Sequence, residues 1–268
     1  MATEDFTTYT EVDPGSDITI TEDRVSWDLV PNPVVGYVYD DKGAGHFDGD
    51  FEHRFKLYMS STNTDYYSLT CAWGLSTSIG NYKAWLDDSS DAASVRVRRT
   101  ATLDYYIQFY LVEAGSSTGD VWDGPAGDTT YYCTVDRDDD GGANSTGLYT
   151  LYVCTGNYYG ETGATLQDTM TNVSSSGEQN DFRYVYGQHG YGYNESYYES
   201  TGWLEDLDLQ ESISASPSAS ISASLSASPS RSSSISASPS ASISASPSAS
   251  ISASPSSSIS ASPSSSAS

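Results

Sequence analysis

The sequence predicts an all-β fold, a two-sheet jelly-roll sandwich followed by a disordered low-complexity C-terminal tail. Three observations lead there. Apolar and polar residues alternate with period two through most of residues 1–211, the mark of strands with one buried face. Turn clusters such as Asp13-Pro14-Gly15, Pro31-Asn32-Pro33, Gly43-Ala44-Gly45, Gly124-Pro125 and Asp140-Gly141-Gly142 break the alternation at short intervals. Tyr, Thr and Val are abundant, as pleated, half-buried surfaces favour. Residues 1–211 show no internal repeat, which argues against a propeller.

The elements follow in order. Val25, Trp27 and Leu29 alternate with polar neighbours, as do Val35, Tyr37 and Tyr39. The longest run is Phe51, His53, Phe55, Leu57 and Met59, interleaved with Glu52, Arg54, Lys56 and Tyr58. Leu69 to Leu75, Val95 to Val97 and Leu103 to Leu111 continue the pattern, then Tyr131 to Val135 and Tyr149 to Val153. Phe182, Tyr184 and Tyr186 form another strand, and Leu204 with Leu207 and Leu209 the last. Helical periodicity is almost absent. Residues 212–268 are Ser, Ala, Ile and Pro except for Leu225 and Arg231, with Pro239, Pro247, Pro255 and Pro263 evenly spaced. Such a segment buries too little apolar surface to offset its ordering entropy. It reads as an extended linker or stalk, open to O-glycosylation, and sets the domains at 1–211 and 212–268.

The chain has 36 acidic and 11 basic residues, a formal net charge of −25, and only Arg231 of these lies in the tail. That balance excludes a nucleic-acid partner, which needs basic patches, and docking on anionic lipid. It suits plain solubility, divalent cations or high salt. No apolar run is long enough to insert into a membrane. The N-terminus, Met1 to Asp5, is polar and lacks the usual form of signal peptide. Of the three cysteines, Cys133 and Cys154 flank one expected hairpin. A one-residue difference in register decides whether they face each other, so a disulfide there stays open.

Three segments carry a family resemblance. Gly43-Ala44-Gly45-His46-Phe47-Asp48-Gly49-Asp50-Phe51-Glu52-His53-Arg54-Phe55 resembles the start of the long central strand in concanavalin A-like and laminin-G-like domains. Thr130 to Asp138, a Gly-rich turn, and Leu148 to Val153 are similar to the signature hairpin of that superfamily. Gly202 to Leu209 looks like a closing strand that returns beside the first. The resemblance implies a jelly roll whose members bind glycans, proteins or calcium, or hydrolyse glucans.

Three motifs could carry chemistry. Asp48, Asp50 and Glu52 fall on one face of a regular strand, opposite Phe47 and Phe51. The superfamily's glucan hydrolases place Glu-x-Asp-x-Glu here, the first as nucleophile and the last as acid/base, and this chain has Asp in the first position. On a regular strand the first and third carboxylates are about 13 Å apart at Cα, against the roughly 5–5.5 Å that a retaining pair needs. Arg54 and Lys56 on the same face point to charge pairing instead. Asp136, Asp138 and Asp140, followed by Gly141, match the opening of a calcium loop without its closing Glu, so calcium is the candidate cofactor. Trp122 and Tyr191, Tyr193 and Tyr197 sit in aromatic loops of the kind that stack on sugars or adapt to protein partners. The histidines show no metal spacing, and His53 falls on the apolar face.

Together these features predict a non-catalytic, lectin-like binding domain for a glycan or cell-surface partner. It would serve in adhesion or recognition outside the cell or on a virus or phage surface, and is more readily a binder than an enzyme. The alternatives are a glycoside hydrolase working through Asp48 and Glu52, and a structural self-assembling or decoration protein. The sequence leaves the ligand and the oligomeric state open.

Overall fold

A computed structural model describes residues 3–31, 36–60, 68–100, 104–142, 146–175, 182–190 and 199–211. The chain divides into two units, Met1–Pro217 and Ser218–Ser268, and every described residue belongs to the first. The tail predicted over residues 212–268 lies outside the described residues.

After a 3-10 turn at Phe6–Thr8, the strands are β1 (Thr10–Val12), β2 (Ile18–Ile20), β3 (Arg24–Pro31), β4 (Tyr37–Asp41), β5 (Phe51–Met59) and β6 (Ser68–Ser76). A short helix, α1 (Tyr82–Asp87), precedes β7 (Ala92–Arg99), β8 (Tyr105–Glu113), β9 (Ser116–Trp122), β10 (Thr129–Asp138) and β11 (Leu148–Thr155). β12 (Thr165–Val173), β13 (Tyr184–His189) and β14 (Glu199–Glu211) complete the domain. They form two seven-stranded antiparallel sheets, β1-β4-β13-β6-β7-β8-β9 (sheet I) and β12-β11-β10-β5-β14-β3-β2 (sheet II). The two-sheet sandwich expected from the alternation is what forms.

β5 is the middle strand of sheet II, and its alternation is strict. Phe51, His53, Phe55, Leu57 and Met59 are buried, while Glu52, Arg54, Lys56 and Tyr58 are partly exposed on the outer face. Phe55 stacks on Trp73 of sheet I with ring centroids 6.1 Å apart and planes 8° apart, tying the two inner faces together. Burying a side chain of this size contributes about 1.5–3 kcal/mol. Phe55→Ala would also leave a cavity, at a cost of about 3–5 kcal/mol.

The closing strand departs from simple alternation. Leu204 and Leu207 are both buried although three positions apart. Asp206 adopts φ +55°, and the pairing of β14 with β5 shifts between Glu205 and Asp208. A bulge of this kind inserts a residue and restores the inward face. β14 lies between β3 and β5, and the Glu4 N–H donates to the Leu207 carbonyl at 2.7 Å. The chain's beginning and the domain's last strand therefore meet.

The β10–β11 hairpin settles the cysteine question. Tyr132 pairs with Cys154 and Cys133 with Val153, a one-residue offset that puts the two thiols on opposite faces of the sheet. Both are free and buried. Asn172, which opens an Asn-Val-Ser glycosylation sequon, is buried, and its Nδ2 donates to the Phe109 carbonyl at 3.0 Å, so its amide is already engaged in the fold. Two strands and one helix carry no apolar alternation. β9 is exposed along nearly its whole length and β12 along most of it, as edge strands. α1 is six residues long, capped by the Asn81 side chain accepting from the Ala84 N–H at 2.9 Å.

Candidate functional site

The outer face of sheet II gathers the polar half of β5 and its neighbours. Pairing register sets Glu52 opposite Asp136 of β10 on one side and opposite Gln210 of β14 on the other. Side chains directly opposite on an antiparallel pair have Cβ atoms about 4.5–5.5 Å apart, so Glu52 and Asp136 stand side by side. They line a depression of about 400 Å³ with Asp50, Asp138 and Gln210, floored by Phe51 and Arg137. Asp136 is half-buried, and its carboxyl is held above the usual carboxylate range, first by burial and then by the charges of Glu52, Asp138 and Asp50. Glu52 accepts from Arg54 Nε at 2.6 Å. The two carboxylates thus sit in unlike surroundings, one ion-paired and the other desolvated among like charges.

Arg54 is shared. Its Nη1 donates to Glu161 Oε1 at 2.7 Å, which fastens the β11–β12 loop over the sheet. Lys56 pairs with Asp206 and, at 3.5 Å, with Glu205, and Arg24 bonds Glu205 at 2.5 Å. The expected charge pairing along β5 is present. Aromatic rings flank it. Tyr158 of the loop meets Tyr132 edge-on at 5.2 Å, and Tyr159 stacks on Tyr152 at 3.9 Å. Further along the face, Tyr58 and Trp203 stack at 5.3 Å beside a second depression of about 210 Å³.

At the end of the hairpin, Asp50, Asp138 and Asp139 bring carboxylate oxygens within 4.8 Å of one another. The Asp139 N–H donates to Asp50 Oδ1 at 2.9 Å. Asp139 is raised by loss of hydration and by its contacts with Asp50, and Asp138 by loss of hydration and by Asp140. This surface cluster could hold a metal ion. Arg137 runs beneath it, buried between the Phe51 and Tyr149 rings, and donates through Nη1 to the Phe47 carbonyl at 2.6 Å. It pins the segment carrying Asp48 and Asp50 to β10.

The structure redistributes the residues singled out from the sequence. Asp48, Asp50 and Glu52 do not share a strand face, because β5 starts only at Phe51. Asp48 is exposed before it and does not line the depression. Asp136, Asp138 and Asp140 do not form one cluster either. Asp140 stays beside Asp138, but the three carboxylates within 4.8 Å of one another are Asp138, Asp139 and Asp50, while Asp136 joins Glu52. Trp122 is not in a loop. It ends β9, half-buried, with its ring edge-on to Tyr131 at 5.5 Å. Tyr191, Tyr193 and Tyr197 lie outside the described residues. His53 is buried, as its place on the apolar face predicts, and stacks on Phe51 at 4.3 Å. Sequence reasoning missed the Glu52–Asp136 pair and the loop residues Tyr158, Tyr159 and Glu161. The first depends on strand register, and the second on how a Gly-flanked loop folds back.

No family model matches the sequence, and no curated protein matches it. Among solved structures, an alginate lyase superposes with a TM-score of 0.50 at 16% identity, covering 77% of this chain and 88% of that one. A double mutant of that lyase in complex with an alginate trisaccharide gives 0.50 at 17% identity, covering 79% and 94%. At this identity the likeness carries the fold. That fold is a two-sheet antiparallel β-sandwich. The expectation of a non-catalytic binding module, more readily a binder than an enzyme, is corrected here. The fold matches that of an alginate lyase, and one end of sheet II carries the Asp50–Asp138–Asp139 cluster. Among the described residues, no helix is long and apolar enough to cross a membrane.

Proposed function

We propose that the domain is a polysaccharide-cleaving enzyme, a glycoside hydrolase whose carboxylate pair is Glu52 and Asp136. One observation carries this reading: the two residues are register partners on neighbouring strands, within one open depression. Their expected Cβ spacing, about 4.5–5.5 Å, suits the roughly 5–5.5 Å between the carboxyl groups of a retaining pair. Asp136, raised by burial and by its neighbours, keeps a proton more readily and serves as the acid. Glu52, oriented by Arg54, is the nucleophile. Asp136 protonates the leaving glycosidic oxygen as Glu52 bonds to the anomeric carbon. Water, deprotonated by Asp136, then breaks the glycosyl–Glu52 ester.

Charge favours a neutral polysaccharide over a polyuronate. Elimination from a uronate is favoured by cations or hydrogen-bond donors that offset the substrate carboxylate as the adjacent proton leaves. Here Arg54 and Lys56 are both engaged by carboxylates of the chain itself, and the acidic face repels an anionic polymer. Work outside the cell or on a virion surface is in keeping with such a substrate. Calcium is the cation we assign to Asp50, Asp138 and Asp139, since an all-carboxylate donor set suits a hard cation; the three carboxylates outweigh its charge, so the face stays acidic with the ion bound.

The test is reducing-end release from neutral glucans, run beside ultraviolet detection of unsaturated uronate from alginate. Hydrolysis is expected, falling on the order of 10³-fold in both Glu52→Gln and Asp136→Asn with melting temperatures held. Unsaturated products from alginate, or hydrolysis that survives both substitutions, would overturn the assignment.

A further inference from the structure

Tyr159 is one of five large hydrophobic side chains that are exposed among the described residues, at 43%. It is nevertheless firmly placed. Its ring lies parallel to Tyr152 at 3.9 Å, with planes 3° apart, so one face is covered while the side chain as a whole stays exposed. The loop that carries it is closed at its neck. Gly156 has φ +83°, and a Cβ there would sit 2.6 Å from the Gly163 carbonyl oxygen. Asn157 Nδ2 donates to the Thr162 carbonyl at 3.2 Å, Tyr158 rests on Tyr132, and Glu161 holds Arg54. A ring fixed before binding loses little freedom when it binds.

The residue it stacks on, Tyr152, is a neighbour of the carboxylates. Tyr152 lies opposite Thr134, two positions along β10 from Asp136, and such diagonal neighbours are about 7–8 Å apart. Asp136 and Glu52 are among the charges that, after burial and Tyr159, raise the Tyr152 hydroxyl. An exposed aromatic ring stacked on a neighbour of the carboxylate pair matches the apolar face of a pyranose ring, which presents C–H groups to a π-system.

We propose that Tyr159 is a stacking platform for a sugar ring of the substrate, forming a binding subsite beside Glu52 and Asp136. The assignment rests on the hydrolase reading for its reaction, while sugar binding can be measured apart from it. Two experiments test it, each with melting temperatures recorded: steady-state kinetics on a neutral oligosaccharide series, and calorimetric binding of the same oligosaccharides to proteins carrying Glu52→Gln. Tyr159→Ala is expected to raise KM and weaken calorimetric binding about tenfold, with kcat changing far less. Tyr159→Phe, which keeps the ring, should stay near wild type in both. Unchanged KM and unchanged binding in Tyr159→Ala would overturn the platform while leaving the hydrolase intact. So would a loss confined to kcat, or an equal loss in Tyr159→Phe. If wild type cleaves no polysaccharide, the hydrolase reading fails. The calorimetric comparison then decides the platform alone, a tenfold loss supporting it and no loss overturning it.

Discussion

Replacing His53 with Phe should flatten the acid side of the stability profile. His53 is fully buried, stacked on Phe51 and edge-on to Phe47 and Trp73. Burial, helped by the positive potential of His46 and Lys42, pushes its pKa from 6.5 down to about 3. The native state therefore binds fewer protons here than the unfolded chain across that window. The stabilisation is complete above the unfolded value and is lost as pH falls towards the folded one. Between about pH 7.5 and about pH 5 the group's contribution drops by roughly 1.5 log units, or about 2 kcal/mol. His189, also buried and lowered, acts in the same direction. The raised carboxyls of Asp136, Asp138 and Asp139 act in the opposite one. Wild type minus His53→Phe cancels these shared contributions. Urea unfolding of both proteins across this range is the assay. His53→Phe should lose about 2 kcal/mol less than wild type. Parallel losses would refute a neutral, buried His53.

Three further outcomes are expected. Truncation after Glu211, where β14 ends, should leave the melting temperature unchanged, since the Ser/Ala/Pro/Ile tail offers little apolar surface; a drop of many degrees would mean that the tail docks. Gly119→Ala should cost about 1–3 kcal/mol in urea melts, because a Cβ there would lie 2.5 Å from the Tyr110 ring and 2.6 Å from the Phe109 carbonyl oxygen. Calcium should stabilise the domain by about 2.7 kcal/mol at a hundredfold excess over its Kd, and Asp138→Asn should remove most of that gain; equal melts in calcium, magnesium and matched sodium would exclude the site.

The architecture was legible because burial writes itself into a strand every second residue. β5, β10 and β11 were all visible as alternating runs, and the structure keeps their faces as read. β9 and β12 were invisible for the same reason: edge strands with mostly exposed side chains give hydrophobic patterning nothing to record. The bulge at Asp206 explains why β14 looked irregular. α1 is under two turns long, too short for its period to stand out.

The candidate site is a different kind of information. Glu52 and Asp136 are distant in sequence and become neighbours only through the β5–β10 register. In a chain with 36 acidic residues, neither stands out by type. The nearby Asp48-x-Asp50-x-Glu52 spacing drew attention along one strand, whereas the sheet assembles its pair across two. Along a strand, same-face residues two positions apart are about 6.6 Å apart at Cα. Across a non-hydrogen-bonded antiparallel pair they come within about 4.5 Å. Carboxylates that must act on one bond are therefore better sought across strands than along them. The residue next to Glu52 makes the same point. His53 turns inward and is held neutral by the core, while Glu52 turns outward and meets Arg54, so a single β5 alternation supplies both the pH-sensitive core position and the proposed nucleophile.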